Sequence, residues 1–163
     1  MEYRKATLED LEKIWNKNIE QNPNDDRWVK WKDRYIQDNI NGKCVTFVVV
    51  NKDEPVGEIT ILFSSQCESV KEDLLLCNDK DIANMNAFRI QKQYEGQGHI
   101  SKLVTVAENH AKEKGIKYLT IGAEAKESRN LGIYLHWGYN EFVKHQIYED
   151  EDNALVLYYR KKL

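Results

Sequence analysis

The stretch from Phe88 to Val104, FRIQKQYEGQGHISKLV, restricts what this chain can fold into more than any other. Phe88-Arg89-Ile90 reads as the end of a strand, Gln93, Gly96 and Gly98 sit in a polar turn, and Ile100, Leu103, Val104 and Ala107 then recur at helical spacing. A strand that turns on glycines into a helix builds an anion site. Gly96 and Gly98 have no Cβ, so successive backbone N–H groups can turn inward on an oxyanion, and the unpaired N–H groups and dipole of the new helix add to them. Phosphate is the natural guest. A P-loop would need GxxxxGK followed by Ser or Thr, which the chain lacks, and the dinucleotide fingerprint would need a third glycine where His99-Ile100-Ser101 stands. The spacing that remains is QxxGxG, from Gln93 to Gly98.

A chain of 163 residues has room for one domain, 1–163, with a substantial core. Its 24 Lys and Arg against 27 Asp and Glu are spread out rather than gathered in a stripe, so no nucleic-acid partner is expected. Cys44, Cys67 and Cys77 are an odd count without metal spacing, and the N-terminus runs directly into Glu2-Tyr3-Arg4-Lys5. A reduced, cytoplasmic protein is the expectation. Apolar runs are only strand length, so no membrane partner is expected either. His99, His110, His136 and His145 share no ligand spacing, which speaks against a metal, and no GxSxG supports a hydrolase.

Taken in order, Tyr3 to Lys5 reads as a short strand, and Thr7 as the N-cap of a helix carrying Leu8, Leu11, Ile14, Trp15 and Ile19 on one face until Pro23 breaks it. Asp25 or Asp26 then caps a helix through about Ile40 whose Trp28, Trp31 and Tyr35 either pack or line an acceptor cleft. Cys44 to Val50 and Val56 to Phe63 are strands across a turn, with Gly57 marking a bulge. Ser64 to Lys80 is a short helix or a loop, and Asp81 to Ile90 is the fourth strand. The helix from about Gly98 to Lys114 stops at Gly115, Lys117 to Ala123 is a strand, and Ser128 caps a helix through Trp137. Phe142 to Tyr148 and Ala154 to Arg160 form a closing hairpin across the solvated acidic turn at 149–153. The helix between strands four and five makes those two parallel and the rest mainly antiparallel. The expected fold class is α/β: a mixed, mostly antiparallel sheet with helices on both faces.

QxxGxG after the fourth strand resembles the pyrophosphate motif of the GNAT family of acyl-CoA-dependent N-acyltransferases. Tyr134, four residues before Gly138-Tyr139, is similar to that family's late helix, and the element order is similar throughout. The resemblance implies an N-acetyltransferase using acetyl-CoA as cosubstrate, with a small-molecule or peptide amine as acceptor and a homodimer allowed for. It implies that Ile90, Gln91 and Lys92 meet the thioester and pantetheine, that Glu95, Gly96, Gln97, Gly98, His99, Ile100 and Ser101 wrap the pyrophosphate, and that Asn130 touches the pantetheine arm. Lys92, Lys102 and Arg129 are unranked for the outer phosphate. Tyr134 is the catalytic candidate, protonating or hydrogen-bonding the departing thiolate, and Glu58, Glu124 and Asp81 are candidate bases, with Asn84 and Asn86 where some relatives carry a carboxylate. His99 is either at the phosphates or a solvated first-turn residue. Glu95 and Ile100 depart from the family pattern, Glu95 by placing negative charge beside the phosphates. Two other classes stay open, a silent acyl-CoA sensor and a protein-interaction domain.

Overall fold

A computed structural model describes residues 1–163. The chain opens with β1 (Glu2–Lys5) and α1 (Leu8–Gln21), and Thr7 starts that helix as expected. The Asp10 N–H donates to Thr7 Oγ1 at 3.2 Å while the Thr7 N–H donates back to Asp10 Oδ2 at 2.8 Å, a reciprocal box that uses both ends of the first turn. In α2 (Arg27–Ile40) the two expected aspartates share the start: Asp26 holds the N-cap position without a side-chain bond, and Asp25 before it accepts the Arg27 N–H on Oδ1 at 3.1 Å.

β2 (Cys44–Asn51), β3 (Glu54–Leu62), β4 (Ile82–Ile90), β5 (Tyr118–Glu124), β6 (Glu141–Tyr148) and β7 (Ala154–Lys162) join β1 in one seven-stranded sheet. α3 (His99–Glu113) crosses between β4 and β5, which are parallel; every other pairing is antiparallel. The closing hairpin is less simple than its sequence. β7, not β6, pairs with β5 along its length, and β6 is pushed to the edge.

Period two sorts the strands between the faces. Phe47, Val49, Ile59, Ile61 and Met85 form one core with Leu103, Val104 and Ala107 of α3. The other face lies under α1 and α2, where Asn39 binds Thr46 and Asn18 binds Glu58. α4 (Ser128–His136) packs on β5, with Tyr134 and Trp137 against the α3-side core. No helix is long and apolar enough to cross a membrane.

Two irregularities shape the middle of the sheet. Val49 faces Gly57 and Val50 faces Pro55, so the expected bulge falls beside Gly57. In β4, Glu58 faces Arg89 and Thr60 faces Asn86, leaving Ala87 and Phe88 opposite the single residue Ile59. Ala87 takes the left-handed φ of 58° that this bulge demands. An alanine there carries backbone strain that glycine would not, so Ala87→Gly should raise the unfolding free energy by about 1 kcal/mol, read from urea midpoints.

One open choice is decided and one expectation needs correction. Ser64 to Lys80 is the loop of its two alternatives, a run of turns that buries Cys67, Val70, Leu76 and Cys77 against Cys44, Leu62 and Tyr158. Burial pushes the Cys67 and Cys77 thiols up to about 12 and about 11, which leaves them inert at neutral pH. Ser128 is the first helical residue of α4 rather than its cap. The Glu127 N–H already closes a turn on the Glu124 carbonyl at 2.9 Å, and the Glu127 carbonyl accepts the first helical bond, from Leu131.

Candidate active site

β4 and β5 stay paired only from Ile82 to Asn84 against Tyr118 to Thr120. Beyond that, β4 runs on to Ile90 and β5 to Glu124 without touching, and the gap opens at the carboxyl ends of the two parallel strands, where open α/β sheets take ligands. A cleft of about 510 Å³ lies there. Its lining includes Ile90 and Gln91 of the fourth strand's end, Glu95, Gly96 and Ile100 of the turn, and Asn130 and Tyr134 of α4.

The turn is built to leave donors free. Gly96 and Gly98 adopt φ of 71° and 78°, and an added Cβ on either would meet nothing within 4 Å. The N–H groups from Gly96 through Ser101 bond to nothing in the chain, in contrast to the boxed start of α1. A helix head left open in this way carries partial positive charge into the space above the glycines. Glutamine amides brace it: Gln93 Nε2 donates to Gln91 Oε1 at 2.9 Å, and Gln97 Nε2 to the Gln93 carbonyl at 2.9 Å.

Within this turn the residues fall in different places. His99 is only 9% exposed, its ring held between the Tyr3 hydroxyl (2.8 Å) and Gln97 Oε1 (3.2 Å), so the solvated first-turn alternative gives way. Gln97, Gly98, His99 and Ser101 lie off the cleft lining, and their backbone N–H groups have no partner in the chain. Ile100 both packs on the main core and lines the cleft. Glu95 is exposed on the cleft rim. Among the unranked cations, Arg129 reaches the lining, Lys92 is exposed outside it, and the Lys102 ammonium lies 5.7 Å from the Tyr3 ring centre.

Tyr134 is placed by the end of its helix. The Tyr139 N–H donates to the Tyr134 carbonyl and the Gly138 N–H to the Leu135 carbonyl, both at 3.0 Å, with Gly138 at φ 97°. This crossed pair of bonds is a Schellman stop, and it explains the spacing of tyrosine, glycine and aromatic residue. The Tyr134 ring packs 5.4 Å from Phe88 and 5.7 Å from Trp137, and burial pushes its phenol up to about 12. Tyr139 is buried and structural, its hydroxyl donating to Glu108 Oε1 at 2.9 Å.

None of the candidate bases stands free in the cleft. Asp81 accepts from Asn78 Nδ2 at 2.8 Å, Glu124 pairs with Lys126 and lines a different cavity, Asn84 donates to Thr120, and Asn86 accepts the Tyr35 hydroxyl. Glu58 is fully buried under the cleft floor. Its Oε1 accepts from Arg89 Nε at 2.6 Å and from Asn18 Nδ2 at 3.0 Å. The Arg89 guanidinium lies 4.6 Å from the centre of Trp15 and 5.3 Å from that of Trp28.

Sequence reasoning missed Arg89 altogether. A signal existed: Glu58 and Arg89 are lone opposite charges inside two apolar strands, a pattern that calls for a buried pair. It also left open whether the second-helix aromatics pack or line the cleft. Trp28 does the second, while Tyr35 packs on Trp15 at 5.1 Å.

Parted strands and an uncapped turn suit a cosubstrate with a long thin arm and a pyrophosphate. The model of the acetyltransferase (GNAT) family matches residues 5–139, and the chain belongs to that family. Acetyl-CoA is the cosubstrate that membership brings. Among solved structures, the chain is similar to a ribosomal-protein-alanine N-acetyltransferase from Brucella melitensis, at 14% identity and a TM-score of 0.74 over 100% of both chains. It is also similar to a mutant spermidine N-acetyltransferase from Vibrio cholerae, at 13% identity and a TM-score of 0.72 over 99% of this chain and 95% of that one. A third, the PaiA N-acetyltransferase from Thermoplasma acidophilum in complex with coenzyme A, aligns at 16% identity and a TM-score of 0.62 over 99% and 98%. No curated protein matches in sequence.

Proposed function

We propose that residues 1–163 form one N-acetyltransferase domain that moves the acetyl group of acetyl-CoA directly to a primary amine of a small molecule or peptide. The observation that carries this is the run of unpaired N–H groups from Gly96 to Ser101 beside a cleft between parted strands. In this reading the free amides of Gly96 to Ser101 hold the pyrophosphate, Glu95 enters the turn with its own N–H already bonded to the Lys92 carbonyl at 3.2 Å, and Arg129 is nearest to an outer phosphate. Ile90 and Gln91 face the thioester and pantetheine and Asn130 the arm, while Lys92, expected beside them, lies outside the cleft. The exposed Glu95 side chain stays in solvent, which removes most of its penalty beside phosphate.

The amine must be neutral to attack. For a lysine-like amine of pKa ~10.4 that costs roughly 3.4 units, or about 4.6 kcal/mol, at pH 7. Its proton goes to water, because the one carboxylate on the cleft lining, Glu95, belongs to the phosphate turn. The nitrogen then bonds to the acetyl carbon, passes its second proton to water, and the C–S bond breaks with the electron pair leaving on sulfur. A thiol of pKa about 8.5 is a far stronger acid than a phenol at about 12, so Tyr134 donates a hydrogen bond to the departing sulfur and keeps its proton. Solvent protonates the released thiolate.

Calorimetric titration with acetyl-CoA tests this. Micromolar binding should weaken by roughly 100-fold, about 2.7 kcal/mol, when Gly96 and Gly98 both become valine, because a β-branched residue cannot hold φ near 70° and the amides lose their aim. The open space at both positions keeps the change local. Absence of binding by either protein would overturn the reading. A reduced, cytoplasmic setting is proposed with it, on the three free cysteines. So is a homodimer, through edge strand β6, where Phe142 and Ile147 are more than half exposed. Light scattering at micromolar concentration that returns a monomer mass would dispose of it.

A further inference from the structure

Arg89 lines the cleft, and its surroundings are built around it. Glu58 beneath it is 0% exposed, Trp15 beside it is 1% exposed, and Asn18 ties the same carboxylate oxygen. These contacts fix the guanidinium and leave part of it, with 27% of the side chain exposed, on the cleft lining. The fixing is incomplete. Arg89 Nη2 and Glu58 Oε2 are buried without a partner, so the pair engages through Nε alone, and Nη1 faces outward. A buried cation anchored on one edge and open on another is a ready receptor for a second oxyanion, and the planar fork suits a carboxylate.

The position of Arg89 separates it from the phosphate end. Phe88 packs toward Tyr134 and Trp137, on the side of the sheet that α3 and α4 cover, whereas Arg89 packs on Trp15 and Trp28 of α1 and α2. Lys17 of α1 lines the same part of the cleft and forms no ion pair. The lining carries three cations, Lys17, Arg89 and Arg129, against one carboxylate, Glu95, which belongs to the turn. The cleft lining contributed by α1 and α2 offers no carboxylate to the second ammonium of a polyamine.

Building on the N-acetyltransferase reading above, we propose that the acceptor amine carries a carboxylate, as an amino acid or a short peptide does, and that Arg89, anchored by Glu58 and supported by Lys17 at the rim, receives that carboxylate. Arg89 is thus a specificity-determining residue, and Glu58 positions it instead of acting as the base.

The test is CoA release, followed as free thiol, from acetyl-CoA and a panel of amines. Amino acids and dipeptides are each paired with their amide and their decarboxylated counterpart, and spermidine is included. A charge-assisted contact of this kind predicts kcat/KM for the carboxylate-bearing member at least about tenfold above its partners, carried in KM. The variant Arg89→Gln with Glu58→Gln removes both charges together, so neither is left stranded, and should bring that ratio near one, while acetyl-CoA affinity measured by calorimetry holds. A wild-type enzyme indifferent to the carboxylate, or one that accepts only amines without it, overturns the proposal and leaves acetyl transfer standing. A double variant that slows both members of each pair equally assigns Arg89 a structural role and also overturns it. Failure to bind acetyl-CoA is a different outcome, which removes the acetyltransferase reading and this proposal together.

Discussion

Tyr134→Phe is expected to lower kcat by roughly 10²- to 10³-fold with little change in acetyl-CoA affinity, the size of effect seen when one donor aimed at developing charge is removed. The substitution takes away the hydroxyl alone. Packing against Phe88 and Trp137 survives, and so does the Schellman stop, which uses the Tyr134 carbonyl and not its side chain. The pH profile adds a second readout. With its phenol near 12, Tyr134 stays protonated from pH 6 to 9, so it contributes no limb to the profile in that range. Activity should instead climb with pH as the acceptor amine loses its proton, by at most about tenfold per unit below the amine's pKa, and the phenylalanine variant should show the same slope from a lower start. A variant that keeps full kcat removes Tyr134 from the chemistry.

The largest loss of stability should come from Arg89→Ala. Glu58 would remain fully buried with Asn18 as its one partner, and stripping one member from a buried ion pair typically costs 3–5 kcal/mol. At roughly 2–4 °C per kcal/mol for a chain of this size, the melting temperature should fall by about 6–20 °C. Adding Glu58→Gln should recover much of that, because the stranded charge is gone. Equal melting temperatures for Arg89→Ala and the parent protein would show that Glu58 finds another way to satisfy itself.

Much of the fold could be read before any coordinates because its signals are local. Thr7 and Asp10 lie three apart at the head of an apolar stripe, the glycines at 96 and 98 break a strand into a helix, and Tyr134 to Tyr139 spells out a helix stop. Each depends on backbone geometry within a few residues. What escaped depends on contacts distant in sequence. The insertion of β7 between β5 and β6 is decided by pairing partners, to which alternation within a strand is blind. The turns from Ser64 to Lys80 bury Cys67 and Leu76 without periodicity, since irregular backbone has no period to show. Ser128 looked like a cap because its residue type favours that role, yet the turn bond from Glu127 had already fixed the boundary one residue earlier. In the site, the turn and Tyr134 were legible as motifs, whereas the Arg89 and Glu58 pair required knowing which residues of β3 and β4 face each other across a bulge.

That bulge also governs traffic. Met85 faces the α3 side and Asn86 the α2 side, so simple alternation would put Phe88 with Asn86; the extra residue resets the phase, and Phe88 turns to the α3 and α4 side while Arg89 turns to the α1 and α2 side. The sheet is then a partition with a single slot, cut where β4 and β5 stop pairing. Under the proposed chemistry, donor and acceptor arrive through separate doors and meet only at the slot. Neither has to leave for the other to enter, and one peptide unit of one strand divides the territory of the two.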